Sequence, residues 1–245
     1  NDLSIKILDV DCKLIEPAKR LIDGFAHVLN RPFKSQIFRY LTAERDIIPE
    51  AHSENLKINF NGNGATNTIQ RIINSTKYDS KIVDKTLLAE INSIVNPDII
   101  FIDIVTQFDD STNRWEIYFE NAKNDRIALS KMGSGIKTVL LVLLNLLIVP
   151  IIESKPKNQY VFAFEELENN VHPSLLRRLL QYIKDYSVKN HSYIFITTHS
   201  NIVIDIFGTD KNAQIIHVKH DGENSTSRTI LSKIDQKEIL RDLEI

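Results

Sequence analysis

Apolar residues in the second half of the chain recur with two alternating periods. Short apolar runs bounded by polar residues predict strands at 160–164, 193–197 and 214–218. Between these runs, apolar residues three or four positions apart predict helices at 173–189 and near 201–207. A series in which strands and helices alternate predicts an α/β fold with a mostly parallel sheet.

The first half of the chain begins with a strand, a helix and a second strand, predicted at 4–10, 17–30 and 36–42. Residues 47–66 are polar and contain proline and glycine, which predicts an exposed loop or insertion. Two helical patterns follow within 68–95, and we interpret them as a helical insertion over about 66–97.

The hydrophobic period changes to two over about 98–128, which predicts an antiparallel β meander. Polar turns separate its three predicted strands, 98–107, 114–120 and 126–129. The meander completes the N-terminal part of the predicted organisation, residues 1–128. A second part, an α/β lobe, follows over 129–245.

One long helix is predicted at about 134–148, near the start of the α/β lobe. Its apolar run, 139–152, is interrupted by Asn145 and Pro150 and is too short to span a bilayer. We therefore interpret the segment as a buried core helix and expect no membrane association.

The composition is that of an ordinary globular protein, with 42% hydrophobic and 25% charged residues. A net charge of -2 provides no bulk attraction for nucleic acid, although a local basic patch stays open. Cys12 is the single cysteine, which excludes an internal disulfide framework and favours a cytoplasmic location. The sequence starts without methionine or a signal peptide, so we interpret it as a segment of a longer protein.

Paired carboxylates, Glu165 and Glu166, follow the predicted strand at 160–164. Acids at a buried strand end are costly unless they serve a cation or a reaction. The first could hold hydrated Mg²⁺ while the second polarises a water that attacks phosphate. Two alternatives remain: Glu168 and His172 bind a transition metal together with the pair, or the acids are a solvated helix start.

Two further segments could meet the acids at one edge of the sheet. Met132-Gly133-Ser134-Gly135 precedes the core helix, where exposed backbone N–H groups and the helix dipole favour an anion. The alternative is a tight turn in which Ser134 caps the helix. His199 follows the strand at 193–197 and can reach the ligand-binding edge, although a lone histidine there is usually a capping or surface residue.

Together these segments resemble the nucleotide-binding head of an ABC-type ATPase of the RecF/SMC/OLD branch. Residues 129–137, LSKMGSGIK, resemble the signature motif, and 162–168, FAFEELE, resemble Walker B. Residues 169–173, NNVHP, resemble the D-loop region, and 198–200, THS, resemble the H-loop. The greatest similarity is to OLD-family ATPases of bacterial anti-phage systems.

The chain departs from the ABC pattern at several points. Glu165 stands where most ABC ATPases have aspartate, Leu167 where they have proline, and Gly-Ser-Gly at 133–135 where transporters have Ser-Gly-Gly. The sequence contains no GxxxxGK[ST] motif, and the glycine-containing stretch at 62–66 lacks the lysine. We therefore expect the P-loop upstream of Asn1. The stretch 238–245 resembles the lead into the Toprim nuclease domain of OLD proteins, but no Toprim acidic motif is present.

The resemblance implies ATP and Mg²⁺ as cofactors and a head-to-head homodimer or higher oligomer. Glu165 would support Mg²⁺ through water, Glu166 would activate the attacking water, and His199 would sense the γ-phosphate. The signature would contact the partner subunit's nucleotide through Ser130, Gly133, Ser134, Gly135 and Lys137. Three residues of the D-loop region would couple the two sites, namely Asn169, Asn170 and His172.

The resemblance leaves several biological outputs open. One hypothesis is an anti-phage ATPase that gates a nuclease, fused or in a separate chain. A second is a RecF/SMC-like DNA-repair ATPase that binds DNA, although the helices within 68–95 are too short for a long coiled coil. A third is a scaffold head that does not hydrolyse ATP. A transporter engine is disfavoured because Glu168 and His172-Pro173 after Walker B are not the transporter pattern.

Overall fold

The elements described below come from a computed structural model of the chain, which describes residues 35–208, 210–220 and 222–230. Within these residues the strands and helices follow one another as β1 (Ile37–Leu41), α1 (Ala65–Asn74), α2 (Leu88–Val95), β2 (Phe101–Asp109), β3 (Arg114–Asn121), β4 (Arg126–Ala128), α3 (Ser134–Ile152), β5 (Tyr160–Glu165), α4 (Pro173–Asn190), β6 (Tyr193–Thr197), α5 (Asn201–Phe207), β7 (Ile215–His220) and β8 (Ser225–Ile230). Two segments are π-helical. Ile82–Leu87 leads directly into α2, and Leu144–Ile148 lies within α3.

A parallel sheet with the order β1-β5-β6 carries the predicted acidic pair. The central strand β5 pairs with β1 up to Leu41↔Phe164 and with β6 up to Glu165↔Thr197. All three strands therefore end at one edge, as expected when parallel strands alternate with helices. The predicted α/β fold with a parallel sheet is confirmed.

Helices α3 and α4 cover one face of this sheet. Phe162 of β5 lies 6.3 Å from Tyr186 of α4, measured between ring centroids. Arg39 of β1 donates from Nη2 to Asn145 Oδ1 of α3 at 2.9 Å. Helix α2 packs against both α3 and α4, which closes the core on this side.

Large side chains project from the opposite face of the same sheet. Phe38 and Tyr40 of β1 are 63% and 50% exposed, and Tyr193 and Phe195 of β6 are 58% and 48% exposed. The register places these residues on one face because Phe38, Val161 and Tyr193 lie side by side across the three strands. One face of the sheet is therefore buried by helices and the other retains exposed aromatic surface.

The second sheet is the antiparallel meander that the period-two pattern predicts. It has the order β2-β3-β4, and Phe101 and Phe119 pack across it with ring centroids 4.5 Å apart. Helix α1 lies against β2 and β3. The two-part organisation at 1–128 and 129–245 stays a prediction.

One expectation about loops is correct only in part, and a second is wrong. The segment 47–66 is not an exposed loop throughout, because Ile47 and Ile58 are each 2% exposed and Glu50 forms a β-bridge with Trp115. The burial of these two isoleucines could not be predicted, because the residues around them are mainly polar. Part of the stretch predicted as a surface loop at 221–227 belongs to strand β8, because its Ser/Thr-rich backbone pairs with β7.

The predicted strand at 214–218 also lies in a different sheet from the one expected. It appears as β7 and pairs antiparallel with β8, and it does not extend the parallel sheet in the described residues. The alternation of strands and helices could not reveal this. The backbone groups of β7 can pair equally well with the next strand in a hairpin, and they pair with β8. The predictions at 4–10, 17–30 and 238–245, and Cys12, lie outside the described residues.

Helix α3 is long and apolar enough to cross a membrane by length and composition, but 72% of its most apolar window is buried inside the protein. Its buried polar residue, Asn145, is satisfied locally, since Nδ2 donates to Leu141 O at 2.9 Å and Oδ1 accepts from Arg39. The segment packs as a core helix.

We expect Phe162→Ala to lower the free energy of unfolding by about 3–5 kcal/mol, because the side chain is fully buried between β5 and α4. Urea denaturation monitored by circular dichroism measures the change. The matched control is Phe195→Ala on the neighbouring strand, where half of the side chain is exposed and the loss should be less than half as large. Equal losses would contradict the assignment of the buried face.

Candidate functional site

The acidic pair lies where the parallel ladder stops. Glu165 is the last residue of β5, and Glu166 turns the chain with a φ of +43°, in the left-handed region. The Glu166 backbone N–H donates to Thr197 O at 2.9 Å, which attaches the turn to the end of β6. The two carboxylates therefore emerge in succession at the edge shared by all three strands.

Glu165 is anchored to the end of β1. Its Oε2 accepts a hydrogen bond from the Ala43 backbone N–H at 3.2 Å. In the part of the chain that the structure describes, no hydrogen bond reaches its Oε1. A carboxylate oxygen is the kind of ligand that Mg²⁺ prefers, directly or through water, so Glu165 fits the predicted magnesium role.

The predicted catalytic residues Glu166 and His199 lie next to each other. His199 Nε2 is 4.0 Å from Glu166 Oε1, and their side chains are 79% and 36% exposed. Asn169 Nδ2 donates to Glu166 Oε2 at 2.8 Å, which orients the carboxylate. The structure thus brings together an acid and a histidine from two different strands, both open to solvent.

Glu168 joins the segment that resembles Walker B to the segment that resembles the H-loop. Its Oε1 accepts from Thr198 Oγ1 at 2.7 Å and from the His199 backbone N–H at 2.8 Å. Its Oε2 is buried and has no hydrogen-bond partner among the residues that the structure describes. No sequence pattern predicted that this carboxylate would hold the backbone of His199, the predicted γ-phosphate sensor.

The alternative of a transition-metal site fails on geometry. His172 is the N-cap of α4, where its Nδ1 accepts from the Ser174 N–H at 3.4 Å, and Glu168 is bonded to the H-loop. Among the described residues no group of three or more His, Cys, Asp or Glu side chains is placed to hold a metal ion. Helical spacing was misleading because α4 begins only at Pro173, after both residues.

The signature segment is tied to the D-loop region of the same subunit. Ser134 is the first residue of α3, and its Oγ donates to Asn170 O at 2.8 Å. No side chain caps this helix, so the alternative in which Ser134 is the cap is wrong. A methyl group built on Gly133 would meet no atom within 4 Å, whereas one on Gly135 would lie 3.1 Å from Leu175 Cδ2.

The two other predicted signature contacts are engaged inside the subunit. Lys137 Nζ lies 2.7 Å from Asp46 Oδ1, and the lysine side chain is only 12% exposed. The Ser130 N–H points to Glu116 Oε1 at 3.4 Å. Both residues therefore connect α3 and the turn before it to neighbouring segments of the same chain.

Sequence reasoning missed Arg45, which lies four residues beyond β1. Its guanidinium donates to the backbone carbonyls of Glu165 at 2.7 Å and Glu166 at 3.1 Å. It also donates to Thr42 O at 2.8 Å and Ala43 O at 3.3 Å, and its Nε reaches Thr138 Oγ1 at 3.3 Å.

The environment of Arg45 is both half-buried and acidic. Burial lowers the pKa of Arg45, and the nearby carboxylates of Glu168, Glu166 and Glu165 act in the opposite direction and raise it. The guanidinium stays protonated nevertheless, because arginine is not deprotonated in proteins. The only sequence signal for this role was its position three residues after the predicted strand at 36–42.

A family model for the AAA ATPase domain matches residues 16–204. The chain belongs to the AAA ATPase domain family. This ATPase domain therefore contains a nucleotide-binding fold, which confirms the predicted ATPase at that level. No curated protein sequence matches the chain.

Several solved structures are similar to this ATPase domain. An SMC ATPase structure described for ATP-driven dimerisation and DNA-stimulated activation is 16% identical, with a TM-score of 0.49, over 67% of this chain and 92% of that chain. The Smc head of Pyrococcus furiosus, bound to the C-terminal domain of ScpA, is 18% identical, with a TM-score of 0.43, over 67% and 38%. The SMC head domain from Thermotoga maritima is 15% identical, with a TM-score of 0.42, over 91% and 63%. The matches thus span less than two thirds of the latter two chains.

We expect Glu168→Ala to release the H-loop of the ATPase domain. The His199 amide loses its acceptor, so its hydrogen exchange should be about tenfold faster. Residue-resolved exchange by NMR measures this. Glu153→Ala is the matched control, because that carboxylate bonds Tyr160 at the opposite end of β5 and should leave the His199 amide unaffected. An unchanged exchange rate in Glu168→Ala would show that Glu168 does not hold the His199 backbone.

Proposed function

We propose that this chain hydrolyses ATP with Mg²⁺ at the carboxyl edge of the parallel sheet, and that Glu166 activates the attacking water. The observation that carries the proposal is the solvent-facing pair of Glu166 and His199, 4.0 Å apart. A carboxylate that accepts only one described hydrogen bond, from Asn169, keeps lone pairs available for water.

The residues divide the chemistry between them. Glu165 would hold a hydrated Mg²⁺, which would supply positive charge to offset that of the phosphates. Glu166 accepts a proton from the water as the water oxygen bonds to the γ-phosphorus, and ADP leaves with the electron pair of the broken γ-phosphorus–oxygen bond. His199 donates a ring N–H to a γ-phosphate oxygen, while Glu168 keeps its backbone in place.

The phosphates also need a cradle of backbone N–H groups and a lysine. The 245 residues contain no GxxxxGK[ST] motif. We propose that a segment outside these 245 residues, upstream of Asn1, contributes this cradle. The acid edge then forms one wall of the nucleotide site.

The second wall is proposed to be the signature of another copy in a head-to-head homodimer. The start of α3 suits this role because Gly133 has open space around it and the helix N-terminus favours the γ-phosphate. Ser134 and Gly135 complete the contact, with Ser130 and Lys137 holding the segment in place. Asn169, Asn170 and His172 couple the two nucleotide sites in this proposal. Within one subunit Asn170 O accepts from Ser134 Oγ, which serves the partner's site, and Asn169 donates to Glu166 of its own site.

For the biological output we propose a cytoplasmic ATPase that gates a nuclease or another effector in anti-phage defence, close to the OLD family. The support is the Glu-Glu Walker B followed by His172-Pro173. The second candidate is a RecF/SMC-like DNA-repair ATPase, for which ATP-dependent DNA binding with a steep salt dependence is the diagnostic property. A scaffold head without hydrolysis is the outcome if turnover is absent.

We expect Glu166→Gln to abolish ATP turnover while ATP binding and an ATP-bound dimer persist, because glutamine cannot accept the proton from water. The measurements are steady-state phosphate release and sedimentation with and without ATP, on the full protein that includes the phosphate cradle. Glu120→Gln, on the meander, is the control and should hydrolyse normally. Unchanged turnover in Glu166→Gln would sink the assignment.

Gly133→Ala tests the proposed dimer contact. The added methyl meets nothing within its own subunit and Gly133 has a φ of -62°, so the melting temperature should not change. Insertion of a methyl group against a partner's nucleotide should weaken ATP-dependent dimerisation about tenfold or more. Sedimentation equilibrium in the Glu166→Gln background measures the dimer constant. Equal dimer constants for both proteins would exclude Gly133 from the interface.

A further inference from the structure

Arg45 occupies the junction of three segments that the proposed ATPase site requires. Its guanidinium bonds the end of β5 through Glu165 O and Glu166 O, and the residues after β1 through Thr42 O and Ala43 O. Its Nε reaches Thr138 on the signature helix α3. One side chain therefore joins Walker B, the end of the neighbouring strand and the signature helix.

We propose that Arg45 is a positioning residue that fixes the direction of the Glu165 and Glu166 carboxylates for ATP hydrolysis, an inference that rests on the proposed function. Beyond Glu165 the parallel ladder gives no further strand partner to these carbonyls. A half-buried carbonyl without a donor is unfavourable, so the turn would otherwise rearrange. Arg45 supplies the donors and leaves both carboxylates unoccupied by its own N–H groups.

The strained backbone at Glu166 makes this dependence strong. A glutamate with a φ of +43° persists only where its surroundings over-determine the conformation. Here the Glu166 N–H donates to Thr197 O, and its carbonyl accepts from Arg45 Nη2 and from the Asn169 N–H. Of these partners, Arg45 alone also holds the carbonyl of the preceding acid.

The hydrogen bonds that Arg45 makes with protein atoms favour a positioning role over contact with ATP. A guanidinium has five N–H donors, and here both donors of Nη1, the Nε donor and one of Nη2 are directed at protein atoms. Lysine cannot reproduce this arrangement. Its three N–H donors share one nitrogen and cannot reach carbonyls on separate segments.

The experiment is Arg45→Lys in the full protein with ATP and Mg²⁺. We expect kcat to fall about 100-fold with an unchanged KM for ATP, because small displacements of a catalytic group have costs of this size. Arg126→Lys is the control: that guanidinium pairs with Glu120 on the meander, and the variant should have wild-type kinetics. An unchanged kcat in Arg45→Lys would overturn the proposal, as would a raised KM with wild-type kcat, which would indicate direct nucleotide binding.

Thr138→Val keeps the proposal testable if Arg45→Lys does not fold. The substitution preserves shape and removes only the Nε acceptor, so we expect a severalfold lower kcat, an unchanged KM and a native melting temperature. Wild-type kcat in Thr138→Val together with an unfolded Arg45→Lys would reduce Arg45 to a structural residue and overturn the proposal.

Glu166→Gln, measured in parallel, separates the two hypotheses. Turnover that survives Glu166→Gln removes the proposed function itself. Turnover that is lost in Glu166→Gln but normal in Arg45→Lys removes only the role of Arg45.

Discussion

The parallel hydrogen-bond ladder ends at the pair Glu165↔Thr197. The candidate site depends on the hydrogen bonds that the backbone groups beyond this pair make with other parts of the chain. A strand at the centre of a sheet has pairing partners only while its neighbours continue. Past that point, carbonyls in a half-buried position require donors from elsewhere. The chain uses one guanidinium for several of them and turns sharply at Glu166. The carboxylates can face solvent because the backbone beneath them is held by other groups.

A few hydrogen bonds and one ion pair connect the segments that resemble separate motifs. Glu168 links Walker B to the H-loop, Ser134 links the signature to Asn170, and Lys137 links α3 to Asp46. Displacement of one segment therefore changes the geometry of the next. His199, the proposed γ-phosphate sensor, and Ser134, in the proposed signature, are therefore both bonded to residues of the turn that follows β5.

The central strands and α4 could be predicted because their apolar periods are unambiguous and their ends carry clear signals, such as Pro173 at the start of α4. The acids could be predicted because carboxylates after a buried strand are rare without a purpose. Arg45 could not, because a single arginine in a polar stretch looks like a surface residue until β1 and β5 are paired. Glu168 was assigned to a metal alternative because its spacing to His172 matched a helix that begins only later. Strand β8 was missed because its residues are polar on both faces.

The left-handed backbone conformation of Glu166 lowers the stability of the fold at the residue on which the proposed activity depends. Glycine or asparagine would occupy that backbone geometry with less strain than a glutamate. A selection for thermal resistance alone would therefore favour replacement of the residue on which the proposed chemistry depends. The glutamate at this position is thus informative in itself, since a chain under no functional constraint has a lower-energy choice available.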